Sequence, residues 1–435
     1  MHSFHYQGGK LFCEGVSVQD LAEKNGTPLY IYSQNTVASH FQKLDGALQA
    51  LDHQVCFAVK SNSNLAILRL LAGLGAGFDI VSEGELRRVL AAGGSAQSCI
   101  FAGVGKTEAE IAFALRRDIY AFNAESEAEL ARISRVAVRL KKTASVAVRI
   151  NPNVDAHTHA KITTGTYENK FGIQLDDVEG IYARAARLPN LRLRGIQMHI
   201  GSQLTTTKPF ALAVKKVVPL VQRLTARHGI EFFSIGGGLG IVYSPALASG
   251  LPAWWKTPPA RGILTPATYA DCLVPLLKPL GLKILVEPGR FIVGNAGILI
   301  TRVQYVKQTG HKNFVIVDAA MNDLLRPAMY DSYHEIVPVV QRNGKLISSD
   351  VVGPVCESAD YFCKDRPLAK VGEGDCLALL SAGAYGFAMA SNYNSRALAA
   401  EVLVHGKQAV VIRPRQKIEE LWAPEKIPSW LGRKH

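Results

Sequence analysis

A lysine that ends a short apolar run is the first residue in this chain equipped for chemistry: Phe57-Ala-Val-Lys60-Ser-Asn. Such an amine either snorkels to solvent or, desolvated and with a lowered pKa, attacks a carbonyl carbon to form a Schiff base. Ile235-Gly-Gly-Gly-Leu-Gly240 is either a tight turn or a loop whose bare backbone N–H groups cradle a phosphate. It is not a dinucleotide fingerprint: the third glycine would fall at 241, which is Ile, and no Gly-Lys-Ser/Thr follows. Val286-Glu-Pro-Gly-Arg290 places an acid and a base on either side of a turn, as a structural ion pair or as site groups. Met198-His-Ile-Gly-Ser-Gln203 adds an imidazole. His157 and His159 are spaced like metal ligands, but no acid or cysteine supports them, so no metal is expected.

These groups act together only if the fold brings them to one rim. Eight short apolar runs (55–59, 77–81, 98–102, 119–123, 145–150, 194–200, 232–235 and 283–286) alternate with Ala/Leu/Arg-rich helical stretches. The early runs are roughly 20–25 residues apart, one βα unit each. That cadence predicts an α/β chain whose residues 37–285 form a (β/α)8 barrel, with an open doubly wound sheet as the structural alternative. Lys60, His199, the glycine loop and Glu287 end runs one, six, seven and eight, and barrels collect their chemistry at such ends. Residues 286–435 carry short strands and almost no helix, which predicts an antiparallel β-barrel or sandwich domain. The N-terminal residues 1–36, read as strand, helix from Ser17 and strand, are expected to join it. Segment 243–266, with Trp254 and Trp255, reads as a surface insertion, and the polar segment 153–170 after run five as a lid. An aldehyde-reactive amine, a phosphate cradle, a flat imidazole and a carboxylate on separate strands together match the demands of pyridoxal 5'-phosphate.

Composition narrows the class. With 435 residues, 48% hydrophobic and 20% charged, the chain is an ordinary globular protein, one large domain or two. No run approaches the ~18 apolar residues of a membrane span; 67–81 is broken by Arg69 and Asp79. The N-terminus lacks the charged-then-apolar order of a secretory signal, so a cytosolic protein is expected. Seven scattered cysteines without a Cys-x-x-Cys pair fit reduced thiols. The net charge of +13 is dispersed, which favours attraction of small anions over nucleic-acid binding.

The Lys60, His199, glycine-loop and Glu287 motifs resemble the pyridoxal-phosphate decarboxylases of the alanine-racemase fold. Three further motifs narrow the resemblance to the diaminopimelate decarboxylase family: Asp318-Ala-Ala-Met-Asn-Asp-Leu-Leu-Arg326-Pro-Ala-Met-Tyr330, Gly353-Pro-Val-Cys356-Glu-Ser-Ala-Asp and Gly383-Ala-Tyr385-Gly-Phe-Ala-Met-Ala-Ser-Asn-Tyr-Asn. The likeness runs from about Gly15 to Ile412, and segment 243–266 is longer than the family pattern. It implies decarboxylation of meso-2,6-diaminopimelate to L-lysine, the last step of bacterial lysine synthesis, by a homodimer whose active sites are shared. It further implies that Lys60 carries the cofactor, His199 stacks on its ring and Glu287 pairs with its pyridinium nitrogen. Asp79, Arg149, Pro288, Gly289 and Arg290 would line the cofactor, with Ser202, Gly236, Gly237 and Gly238 on its phosphate. Arg290, Arg326 and Tyr330 would hold the distal carboxylate of the substrate, and Glu357 its distal ammonium. Cys356, from the partner chain, would supply a proton, and Tyr385 would touch cofactor and substrate. Decarboxylases of ornithine, arginine or carboxynorspermidine, a racemase and a non-catalytic cofactor carrier are the competing readings.

Overall fold

Eight parallel strands follow one another around a closed ring: His53–Ala58, Gly77–Ile80, Cys99–Phe101, Ala121–Ala124, Ala144–Asn151, Leu191–Met198, Phe232–Ser234 and Lys283–Val286. The last pairs with the first, Val286 opposite Val55, so the sheet has no open end and the doubly wound alternative is excluded. The computed structural model describes residues 2–154 and 170–432. Segment 153–170, expected to be a lid, and His157 and His159 therefore lie outside the described residues, apart from the segment's ends.

The strands are short and mostly buried, as expected where helices cover one face and the barrel interior the other. Most barrel helices begin where a side chain captures an orphan backbone N–H, as Ser33, Asn64, Ser82, Thr107, Ser126 and Thr265 do, whereas Val178–Ala185 and Lys208–His228 begin without such a cap. Such a cap is worth about 1 kcal/mol and sets where its strand–helix loop stops. Inside the ring, Cys56, Ile100, Ala121, Ala147, Phe232 and Leu285 form one packed cluster. Phe232 fits because the sixth strand carries Gly195 beside it; a Cβ there would lie 2.6 Å from the ring.

Contacts divide the chain into two units. The barrel unit holds Ser33–Ala296 with the extreme N-terminus, and it takes back Gly383–Ala388. The second unit holds Phe4–Tyr32, Gly297–Ala382 and Met389–His435. Its main sheet is built on the long strand Gly297–Gln308, which pairs antiparallel with Leu29–Ser33, Asn313–Val317 and Cys376–Leu379. The expectation of a purely antiparallel domain is corrected by one pair, since Asn313–Val317 runs parallel to Leu346–Val352. The intervening chain, with the helix Arg326–Tyr330 and the strand Ile336–Pro338, provides the long crossover a parallel pair requires. A further strand, Tyr361–Ala369, went unread because Lys364-Asp365-Arg366-Pro367 looks like a turn. It lies at the sheet edge, where proline is tolerated.

Segment 243–266 is ordered, with a short helix at Ala246–Ser249 and Trp254 edge-on to Trp255 at 5.2 Å. The Trp255 indole N–H donates to the Ser249 carbonyl at 2.8 Å. No described helix is long and apolar enough to cross a membrane.

Candidate active site

Lys60 sits on a 3-10 turn, Val59–Ser61, directly after the first barrel strand. The Glu287-Pro288-Gly289 turn is pressed onto it. The Ala58 N–H donates to the Pro288 carbonyl at 3.0 Å, and a Cβ on Gly289 would meet Ser61 Oγ at 2.9 Å. Nζ of Lys60 donates to Asp79 Oδ2 at 2.8 Å. The lysine side chain is 41% exposed along the cavity, while that of Asp79 is 1% exposed. Burial opposes the ammonium, yet Asp79, Tyr385 and Glu287 hold its pKa above the ordinary lysine value. This corrects the expected lowered pKa: without a bound aldehyde, Lys60 rests as a cation.

His199 follows the sixth strand, and its Nδ1 accepts the Gly237 N–H at 3.2 Å. Burial, then the Arg149 and Lys60 charges, push its pKa well below the usual histidine range. The ring is neutral, and with Nδ1 as acceptor its proton is on Nε2. The glycine loop after the seventh strand is wedged between its neighbours. Cβ atoms on Gly236, Gly237 and Gly238 would fall 2.3, 2.2 and 2.5 Å from the carbonyls of Met198, Glu287 and Gly201. Gly236 and Gly238 also have φ of 72° and 103°, which side chains other than glycine rarely adopt.

Glu287 ends the eighth strand, and both carboxylate oxygens are engaged: Ser234 Oγ donates to Oε1 at 2.6 Å and Gln197 Nε2 to Oε2 at 3.0 Å. Burial and then Asp79 raise its pKa above the usual carboxylate range, against those two hydrogen bonds and Lys60. Arg290 donates to Ser202 Oγ at 3.0 Å and to Tyr243 Oη at 2.6 Å, and its guanidinium lies 4.9 Å from the centre of the Tyr385 ring. Tyr385 is held by its backbone N–H on the Ser61 carbonyl at 2.8 Å.

One cavity of about 390 Å³ is lined by Lys60, Asp79, His199, Ser202, Gly238, Glu287, Gly289, Arg290 and Tyr385. Gly236, Gly237 and Pro288 belong to the loops that form its walls. Arg149 is braced by Glu125 at 3.0 Å, both side chains being under 10% exposed. The remaining residues named from the sequence belong to the second unit. Arg326 is buried and donates to His334 Nε2 at 3.2 Å and Ser332 Oγ at 3.1 Å, on the same short helix as Tyr330. Cys356 and Glu357 stand exposed on a turn. Asp360 organises that turn by accepting the N–H groups of Met321 and Val355, each at 2.7 Å.

Gln197, Ser234, Glu125 and Tyr243 escaped the sequence reading. Glu125 directly follows an apolar strand, the same signal that exposes Lys60, His199 and Glu287. Gln197 lies among the buried residues at the end of its strand and Ser234 closes Phe232-Phe233, and their burial is the signal.

The donor set fits pyridoxal 5'-phosphate. The amine is present, the glycine loop is a cradle that any Cβ would fill, and Asp79 Oδ1 is buried without a hydrogen-bond partner. Comparison with known proteins agrees. The pyridoxal binding domain of the pyridoxal-dependent decarboxylases matches residues 34–294. Diaminopimelate decarboxylase from Pseudomonas aeruginosa is 48% identical over 428 residues, 98% of this chain and 99% of that protein. The crystal structure of diaminopimelate decarboxylase from Helicobacter pylori complexed with L-lysine is similar with a TM-score of 0.87 at 39% identity, covering 94% of this chain and 98% of that one. That of the M. jannaschii enzyme with L-lysine gives 0.90 at 36% identity, covering 99% of each chain. With its barrel matched as a cofactor domain and nearly its whole length matched by these enzymes, the chain belongs to the diaminopimelate decarboxylase family of pyridoxal-dependent decarboxylases.

Proposed function

We propose that Lys60, Asp79, His199, the glycine loop and Glu287 form the cofactor site of a decarboxylase that converts meso-2,6-diaminopimelate to L-lysine and carbon dioxide, using pyridoxal 5'-phosphate. The carrying observation is their convergence on one cavity at the C-terminal rim of the barrel. When bound, the cofactor supplies an electron sink for the pair left on the α-carbon as carbon dioxide departs.

Around it, each side chain has a distinct task. Lys60 Nζ, with Asp79 beside it, would hold the aldehyde once it has lost a proton. His199, being neutral, would offer a flat face to a cationic cofactor ring without repelling it. Glu287 keeps a proton on the pyridine nitrogen through a charge-assisted hydrogen bond. The bare N–H groups of Gly236, Gly237 and Gly238, with Ser202, hold the phosphate; Arg149, Pro288, Gly289 and Tyr385 complete the wall. Arg290, Arg326 and Tyr330 hold the distal carboxylate, and Glu357 the distal ammonium, so a substrate lacking that ammonium leaves Glu357 without a partner. Cys356 Sγ gives a proton to the α-carbon. The exposure of Cys356 and Glu357 supports a homodimer in which this turn serves the partner's site. The protein works in the cytosol.

The test is carbon dioxide release from meso-diaminopimelate, lysine and ornithine supplied separately to cofactor-loaded protein. Release from diaminopimelate alone is the expected result; equal or faster release from either mono-carboxylate overturns the assignment.

A further inference from the structure

The carboxylate that ends the eighth strand is gripped from two other strands, by buried groups that do not line the cavity. Ser234, on the seventh strand, and Gln197, on the sixth, are 0% and 1% exposed. Each donates to a different oxygen of Glu287, at 2.6 and 3.0 Å. The Gly236 N–H donates to the same Ser234 Oγ at 3.3 Å, which favours the hydroxyl hydrogen on the Glu287 side. The amide of Gln197 points its nitrogen at the carboxylate and leaves Oε1 buried without a hydrogen-bond partner. A methionine would fill that space without the penalty of an orphaned acceptor. The amide is thus placed for what its N–H donates to.

We propose that Ser234 and Gln197 are positioning residues that hold Glu287 as a carboxylate, so that the proton it shares with the pyridine nitrogen stays on nitrogen. The inference rests on the reading that Glu287 faces that nitrogen. Two donors suit an ionised carboxylate, which only accepts; a protonated one would turn an O–H against one of them. The other groups acting on Glu287 are Asp79, which favours its protonation, and Lys60, which opposes it; the buried Cys56 thiol lies on the neighbouring first strand. Burial and Asp79 push Glu287 towards the neutral form, and Ser234 and Gln197 push back. If they fail, the proton moves from the ring to the acid and the electron sink weakens.

The experiment uses enzyme loaded with cofactor labelled with ¹⁵N in the ring. The nitrogen resonance reports whether that atom is protonated, and kcat and KM are measured alongside. Wild type is expected to show a protonated nitrogen and Glu287→Gln an unprotonated one. Ser234→Ala and Gln197→Met should each lower the protonated fraction and reduce kcat roughly ten- to a hundredfold, the worth of one hydrogen bond to a charged group, with KM little changed. Ser234→Thr, which keeps the hydroxyl, should restore both. If Glu287→Gln moves the resonance and neither Ser234→Ala nor Gln197→Met does, the inference is overturned while the reading of Glu287 stands. If Glu287→Gln leaves the resonance in place, that reading itself fails. Should one variant not accumulate as loaded enzyme, the other decides, since they grip different oxygens.

Discussion

Cys356 is the side chain on which the proposed proton delivery depends. It stands exposed, with its backbone N–H on Asn394 Oδ1 at 3.0 Å, so replacing it disturbs no packed core. Cys356→Ala should therefore bind cofactor normally, judged by its absorbance, and lose ~10²–10⁴-fold in kcat, the range for a missing general acid. Turnover close to wild type would remove the thiol from the reaction. His199 offers a test by pH. Its folded-state pKa lies below the unfolded value, so the unfolded chain binds more protons as pH falls through about 6.5. Stability conferred by the neutral ring is whole above that pH and drains away below it, by up to about 1.4 kcal/mol per pH unit. In melts of cofactor-free protein, His199→Gln should lose less stability than wild type between pH 7 and pH 5; equal losses would assign the acid sensitivity elsewhere. The residues visible from sequence were those that interrupt a pattern, as Lys60 and Glu287 do by ending apolar strands. Asp79 lies within such a strand and was named only through family likeness, and Gln197 and Ser234 were passed over because a polar residue in a strand looks like tolerated noise until its burial is known.

The glycine loop shows how an element's packing sets its chemistry. Gly237 approaches the Glu287 carbonyl so closely that a Cβ would stand 2.2 Å away, against backbone that cannot swing aside. Gly237→Ala should shift the loop away from the eighth strand, costing roughly 1–3 kcal/mol as an overpacked site does. It should also weaken cofactor affinity at least as much as it lowers the melting temperature of the unloaded protein. Unchanged affinity by spectroscopic titration would mean the loop holds no phosphate. The barrel elements were readable because strand and helix recur with one period and most helix starts carry a capping side chain. The second unit offered no such repetition. Tyr361–Ala369 was hidden by a proline acceptable only at an edge, and the parallel pairing of Asn313–Val317 with Leu346–Val352 depends on a crossover that local sequence does not announce.

At the scale of the whole molecule, the proposed sharing of sites predicts complementation. On the proposed roles, Lys60→Ala should fail to anchor cofactor and Cys356→Ala to deliver the proton, while a hybrid dimer would hold one site with both residues intact. Mixing the two inactive proteins under conditions of subunit exchange should restore up to about half of wild-type activity per hybrid, by counting sites. No recovery after exchange is verified by mass spectrometry would place lysine and cysteine of one chain in the same site. The division of the chain has another consequence, in the order of synthesis. Leu29–Ser33 is an inner strand of the second unit's sheet, between Gly297–Gln308 and Ala400–His405, yet it leaves the ribosome before any barrel strand. Tyr385, a wall of the barrel's cavity, emerges only after most of the second unit. The barrel unit cannot be completed until most of the second unit has been made, and the second unit is finished last. A ribosome stalled after Ala296 would hold all eight barrel strands, an early strand without its sheet neighbours, and a cofactor cavity still open on the side that Tyr385 closes.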